Sequence, residues 1–197
     1  MITIAWDIDD VLNNLTETWL ATQPGSPSYR SLIRNPPDGL VGLSLDQYLA
    51  SLDVFRATRY AALQPNAALL AWFRQNGHRA RHVALSAVPR AFASVSASWT
   101  FTHFGDWIRS FSFVPSPRPF DSHPPYDTTK GQFLARCGGI DVLVEDSEAN
   151  ALDAQQLGLT ACLYPQPWNT AKDASVQDLL SRLTDLVSAP HPKRTRP

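Results

Sequence analysis

The sequence predicts an α/β fold with a parallel sheet, a Rossmann-like three-layer sandwich. Two observations carry that prediction: short apolar, partly β-branched runs alternate with segments of helical spacing, and reactive polar groups follow the runs at the edges of strands or helices. The length agrees, because 197 residues with 44% hydrophobic content can bury a core without disulfide or metal staples.

In chain order, residues 2–6 (Ile-Thr-Ile-Ala-Trp) read as a buried strand that ends at Asp7-Ile8-Asp9-Asp10. Leu15 to Leu20 has helical spacing, broken by Gln23-Pro-Gly-Ser-Pro27 and again by Asn35-Pro-Pro-Asp-Gly39. Ser44 stands as N-cap before Leu45, Tyr48, Leu49 and Leu52, an i, i+3, i+4, i+7 pattern that predicts a short amphipathic helix. Asn66 caps a helix over 67–75 that stops at Asn76-Gly77. His82 to Ser86 is a second strand, 90 to about 104 a helix, and Ile108 to Val114 a third strand. Five prolines at 115, 117, 119, 124 and 125 make 115–125 an irregular loop. Asp127-Thr-Thr-Lys130 opens a short helix that ends at Gly138-Gly139, and Ile140 to Val144 is a fourth strand followed at once by Glu145-Asp146. A helix over 149–157, a strand over 160–164 and a helix over 176–187 complete the alternation.

The remaining composition narrows the function classes. Seventeen basic against 18 acidic residues give a net charge of -1, which offers no basic footprint for nucleic acid. Cys137 and Cys162 lie outside any CxxC spacing, so a reducing compartment is expected. With no basic and apolar leader at the N-terminus and no apolar run near the ~20 residues of a membrane span, a soluble, cytoplasmic protein is the expectation. Only three of the basic residues are lysines, at 130, 172 and 193, and the last two fall in the polar C-terminal region, which makes Lys130 conspicuous.

In a parallel sheet, ligands gather beyond the carboxyl ends of the strands. Asp7 and Asp9 follow the first strand, Ser86 ends the second, Lys130 opens the helix after the third, and Glu145-Asp146 follow the fourth. Each alone has a bland reading: an Asp-x-Asp turn, a capping hydroxyl, a solvated lysine, acids at a helix N-terminus. Together, in that order, they point to one site. Carboxylates converging there repel one another unless a hard divalent cation with oxygen ligands joins them, and Mg²⁺ fits best.

Asp7-Ile-Asp-Asp-Val-Leu12 resembles the first motif of the haloacid dehalogenase-like phosphatases. Val83-Ala-Leu-Ser86 resembles the second, Lys130 the third and Val142-Leu-Val-Glu-Asp146 the fourth, so that the likeness spans residues 2–165. Within that superfamily, Leu143-Val-Glu-Asp-Ser-Glu-Ala-Asn150 followed by Tyr164-Pro-Gln-Pro-Trp-Asn169 resembles the 5'(3')-deoxyribonucleotidase group. The resemblance implies Asp7 as nucleophile and Asp9 as general acid and base. It implies Mg²⁺ on the Asp7 carboxylate, the Asp9 carbonyl, Asp146 and Glu145, the last directly or through water. Ser86, Ala87 and Lys130 would bind the phosphoryl group, and a small phosphate ester, a mononucleotide first, would be the substrate. The family more often has Gly where Asp10 stands, and the nucleotidase group has Asp where Glu145 stands and a second hydroxyl where Ala87 stands. Asp10 is read as a cap for the following helix. Another phosphate ester, a phosphotransferase, nucleic-acid end processing and a non-catalytic binding module stay open as alternatives, as does a homodimer.

Asp7 and Ser86 are 79 positions apart, whereas a crossover with its helix needs only ~30. The surplus matches the small helical cap that such phosphatases insert here. The expected division is therefore a core of 1–15 and 65–187, a cap over 16–64 and a flexible tail over 188–197. Trp19, Tyr29, Tyr48, Phe55 and Tyr60 fall in the cap, as its own small core or, for one or two, as stacking surfaces for a planar group. Arg30, Arg34, Arg56 and Arg59 are candidates for anionic or polar parts of a substrate.

Overall fold

The computed structural model describes residues 1–116, 118 and 121–190. Five strands, β1 (Thr3–Trp6), β2 (Arg81–Val88), β3 (Ile108–Pro115), β4 (Val142–Glu145) and β5 (Thr160–Leu163), form one parallel sheet in the order β3-β2-β1-β4-β5. Strand order reverses between β1 and β4, which makes the crevice at their carboxyl ends the switch point of the sheet.

Alternation along the strands divides the core in two. Ile4, Trp6, Ala84, Val142, Val144 and Cys162 face one side, where they meet α3 (Ala67–Asn76), α4 (Ala93–Phe104) and α7 (Val176–Ser188). Ala5, Leu85, Leu143 and Ala161 face the other, against α5 (Lys130–Cys137) and α6 (Glu148–Gln156). Both faces are covered, as an all-parallel sheet requires. Between β1 and α3 the chain builds α1 (Leu15–Leu20), two short turns of 3-10 helix, α2 (Leu45–Arg59) and a third such turn, Tyr60–Ala62.

The local signals act as their chemistry predicts. Ser44 and Gln47 close a reciprocal capping box at the start of α2. Asn66 accepts from the amides of Ala68 and Leu69 at the start of α3, and Thr129 accepts from that of Gln132 at the start of α5. α2 is longer than the short helix expected, running to Arg59 because Phe55 and Arg56 are also buried. The helix expected from 90 begins with a turn of 3-10 helix and becomes α-helical at Ala93. β4 starts at Val142 rather than Ile140 and takes in Glu145. In the proline-rich segment no helix or strand occurs at 116, 118 or 121–129, while Pro117 and Pro119 lie outside the described residues. Of the tail expected over 188–197, Ser188 closes α7 and 191–197 lie outside the described residues. No helix among the described residues is long and apolar enough to cross a membrane.

A buried histidine pins β1 to β2. Trp6 donates its indole N–H to Nδ1 of His82 at 3.0 Å, so the ring must carry its proton on Nε2, which stands 2.9 Å from the carbonyl of Gly77. Burial pushes this imidazole down to about 4. The unfolded chain binds a proton at about 6.5 that the folded chain refuses until about 4, so stability is complete above the first value and falls as pH drops toward the second. Between pH 7.5 and 4.5 the wild type should lose about 2–3 kcal/mol through this residue, a loss absent in His82→Gln, as read from urea midpoints at the two pH values.

Candidate active site

The carboxyl end of β1 runs into the turn Ile8–Leu12, where Asp10 takes φ 64°, a left-handed conformation that most side chains avoid and Gly enters freely. Asp10 is held there by its own side chain. Oδ1 accepts from the Thr16 amide at 2.8 Å and Oδ2 from the Thr16 hydroxyl at 2.5 Å, which caps α1 in place of Asn14, whose side chain makes no cap bond. The expectation of a capping role agrees with these bonds. Burial pushes the Asp10 carboxyl up to about 7 against the pull of the two bonds.

Lys130, at the first position of α5 and almost wholly buried, reaches into the sheet end. Its ammonium lies 2.6 Å from Asp7 Oδ1 and 2.6 Å from Glu145 Oε2. Oxygens of Asp7, Glu145 and Asp146 converge within 4.8 Å of one another, all three residues buried. Burial, with Glu145 next in importance, holds both the Asp7 and the Asp146 carboxyls well above the usual range. Against the same burial, Lys130 and the Ser147 amide hold Glu145 below it, and Asp7 and Glu145 hold the Lys130 ammonium above the usual lysine range. Three carboxylates face one ammonium, an excess of two negative charges when all are ionised.

The other predicted residues fall around this centre. The Ser86 hydroxyl is fully buried, lines the same cleft, and finds no hydrogen-bond partner among the described residues. Ala87 is exposed in the cleft wall, with only its backbone to offer a phosphoryl group. The Asp9 carboxylate lies apart from the converging three. Its Oδ1 accepts from Tyr60 Oη at 2.5 Å and Asn13 Nδ2 at 3.2 Å, and its Oδ2 from Arg56 Nη2 at 3.1 Å, so any part Asp9 plays toward a cation falls to its backbone carbonyl. Both Glu145 oxygens are engaged by Lys130 and the Ser147 amide, which makes it first a support for the lysine.

The cleft measures about 500 Å³. Tyr48, Leu49, Leu52 and Arg56, a stripe along α2, form one wall, joined by Ile33, Arg34 and Pro36. Of the five aromatic residues in the insertion, Trp19, Phe55 and Tyr60 go to the core, Tyr29 donates to Gln166, and Tyr48 alone lines the cleft, buried and met edge-on by Trp19. Arg34 and Arg56 reach the cleft, and Arg30 and Arg59 do not line it.

Sequence reasoning missed the loop after β5 as a scaffold, having used it only for its resemblance. Trp168 donates its indole N–H to Asp146 Oδ2 at 3.0 Å, Asn169 bonds the Asp146 carbonyl at 2.8 Å, and Gln166 bonds the Asp10 carbonyl. An indole N–H and two carboxamides within a hexapeptide holding two prolines were the available signal. It also missed Asn13, for which the sequence held none.

No protein-family model matches the sequence, and no curated protein does. Solved structures match along nearly the whole chain. A predicted phosphatase from Clostridium acetobutylicum superposes with TM-score 0.61 at 10% identity, over 93% of this chain and 98% of that one. A haloacid dehalogenase-like family hydrolase from Streptococcus pneumoniae superposes with TM-score 0.58 at 14% identity, over 94% and 92%. The chain has the haloacid dehalogenase-like fold. A subfamily IA hydrolase of that superfamily from Geobacter sulfurreducens, with TM-score 0.51 at 14% identity over 85% and 91%, agrees. At these identities the likeness is one of fold, and the chemistry has to be argued from the site.

Removing Lys130 leaves buried carboxylates unpaired. Lys130→Met should cost about 3–5 kcal/mol of folding stability in the absence of divalent cations, read from chemical denaturation in EDTA.

Proposed function

We propose that the chain is a Mg²⁺-dependent phosphomonoesterase that works through an aspartyl-phosphate on Asp7, with a small phosphate ester as substrate and a nucleoside monophosphate first among the candidates. The observation that carries this reading is the Ser86 hydroxyl, a buried donor without a partner among the described residues, in the same cleft as the Asp7–Lys130 pair. Such a donor is costly unless a ligand oxygen meets it. A phosphoryl oxygen is the ligand that also needs Lys130.

In this reading an Asp7 carboxylate oxygen attacks phosphorus, the phosphorus–alkoxide bond breaks, and Asp9 delivers a proton to the departing alkoxide. Water then attacks the phosphoryl group while Asp9 takes its proton, the acyl phosphate bond breaks, and inorganic phosphate leaves. Ser86 and Lys130 grip the phosphoryl oxygens, and Lys130 offsets the charge of Asp7 as the dianion approaches. The donor set fits a hard cation: only carboxylate oxygens converge, two of the three carboxyls are raised by burial and mutual repulsion, and the excess of two negative charges equals the charge of one divalent ion. Asp7 and Asp146 would hold Mg²⁺ with the Asp9 carbonyl, and Glu145 would act through Lys130 or a water. Held there, such an ion would offset charge on the phosphoryl oxygens and make phosphorus more electrophilic.

Residues 16–64 act as the cap over a core of 1–15 and 65–187, with the α2 stripe facing the leaving group. The nucleotide preference rests on the Tyr164–Asn169 segment and on the apolar wall of Ile33, Leu49 and Leu52, which suits a planar group better than a free sugar.

A panel of phosphorylated metabolites with Mg²⁺ tests the reading. Turnover should stop in EDTA, and Asp7→Asn should lower it by ~10³-fold or more. Faster hydrolysis of mononucleotides than of sugar phosphates supports the nucleotide class, and equal rates remove it. Binding of phosphate esters without turnover would make the chain a binding module. Trp168→Phe, which keeps the ring and loses the N–H on Asp146, should weaken Mg²⁺ binding ~10-fold or more by calorimetry.

A further inference from the structure

Two groups from the insertion meet on Asp9 that the phosphoryl chemistry does not itself call for. Arg56 and Tyr60 are four residues apart where α2 ends and the next turn begins, a spacing that puts both on one face. Both are buried, at 6% and 1% exposure. The Tyr60 hydroxyl is fixed further by Ser96 Oγ at 3.1 Å and Asn13 Nδ2 at 3.2 Å, and its ring stands edge-on to Trp99. Arg56 Nη1 also lies 3.5 Å from Asp53 Oδ1, and neither this nitrogen nor Nε makes a hydrogen bond among the described residues. A guanidinium buried with two of its nitrogens unbonded is costly, and the full hydrogen bond it does make is to Asp9.

A carboxylate has about four lone-pair sites. On Asp9, Tyr60 and Asn13 occupy Oδ1 and Arg56 occupies one site of Oδ2. One site on Oδ2 remains, on a side chain that lines the cleft. We propose that Arg56 and Tyr60 are positioning residues for proton transfer at Asp9, locking its carboxylate so that this remaining site carries the proton. The proposal rests on the phosphomonoesterase reading above. When the leaving alkoxide takes the proton, the O–H bond of Asp9 breaks and its electron pair stays on Oδ2, beside the Arg56 charge. The hydrolytic water later returns a proton to the same site.

A leaving group that departs as a stable anion needs little help from Asp9, whereas an alkoxide needs all of it. The readout is therefore the ratio of kcat/KM for an alkyl phosphate to that for 4-nitrophenyl phosphate, since kcat/KM reports only the steps through phosphoenzyme formation. Tyr60→Phe and Arg56→Lys should each lower this ratio by ~10-fold or more, in the direction of Asp9→Asn, with thermal unfolding confirming that the variants fold. In an Asp9→Asn background, Tyr60→Phe should change the ratio no further. A clamp that merely ties α2 to the core lowers both substrates alike, and a ratio left at the wild-type value in both variants overturns the proposal. So does an effect of Tyr60→Phe on the ratio that persists in Asp9→Asn. Wild type inactive on both esters fells the phosphatase reading and the proposal together, while an active wild type with an unmoved ratio fells the proposal alone.

Discussion

The site depends on an ammonium placed where a helix does not favour it. Lys130 opens α5, and the N-terminus of a helix carries the positive end of its dipole, which repels a cation. Burial opposes the charge as well. What holds it is a pair of carboxylates at 2.6 Å, Asp7 from the end of β1 and Glu145 from the end of β4, two neighbouring strands at the point where the order of the sheet reverses. The arrangement works in both directions: without the lysine the acids cannot stay ionised side by side, and without the acids the lysine could not stay buried. A chain with three lysines places one of them here.

Around that ion pair the supports are neutral hydrogen bonds, which hold direction without adding charge. Trp168 and Asn169 fix the side chain and carbonyl of Asp146, Gln166 fixes the carbonyl of Asp10, and Asn66 ties Tyr164 to the carbonyl of Val11. A loop beyond the sheet is thereby made as definite as a strand. Tyr29 joins the insertion to the same loop through Gln166 and an edge contact with Trp168.

Much of this was legible in the sequence because it follows from local rules. β1 ends where its acids begin, while β4 takes in Glu145 and β2 runs past Ser86 to Val88. The caps at Ser44, Asn66 and Thr129 sit one residue before their helices, and Lys130 stood out through the scarcity of its type. The α/β alternation needed no more than that. What stayed hidden depends on contacts across the chain. Nothing near Asp9 announces that Tyr60, 51 residues on, will bond it, and Arg56 could not be chosen over three other arginines by spacing alone. Glu145 read as a metal ligand, directly or through water, and its place among the converging acids fits that; that its oxygens also accept from Lys130 and a backbone amide is something only geometry shows. Asp10 was half legible: its type fits a cap, but its left-handed backbone is visible only in the fold.

Two carboxylates two residues apart would ordinarily share one environment and spoil each other's ionisation. Here the turn between them separates their surroundings. Asp10 at φ 64° breaks the helical path of the chain, and its bonds to Thr16 hold the break in place. Asp7 is left facing an ammonium and two further acids, and Asp9 faces a guanidinium and a phenol. In the proposed reaction, such distinct environments suit one carboxylate to the part of nucleophile and the other to that of proton carrier. A glycine would enter the same backbone conformation at less cost, but it would leave the Thr16 amide and hydroxyl without these partners. The aspartate therefore trades backbone ease for a turn that its own side chain holds rigid.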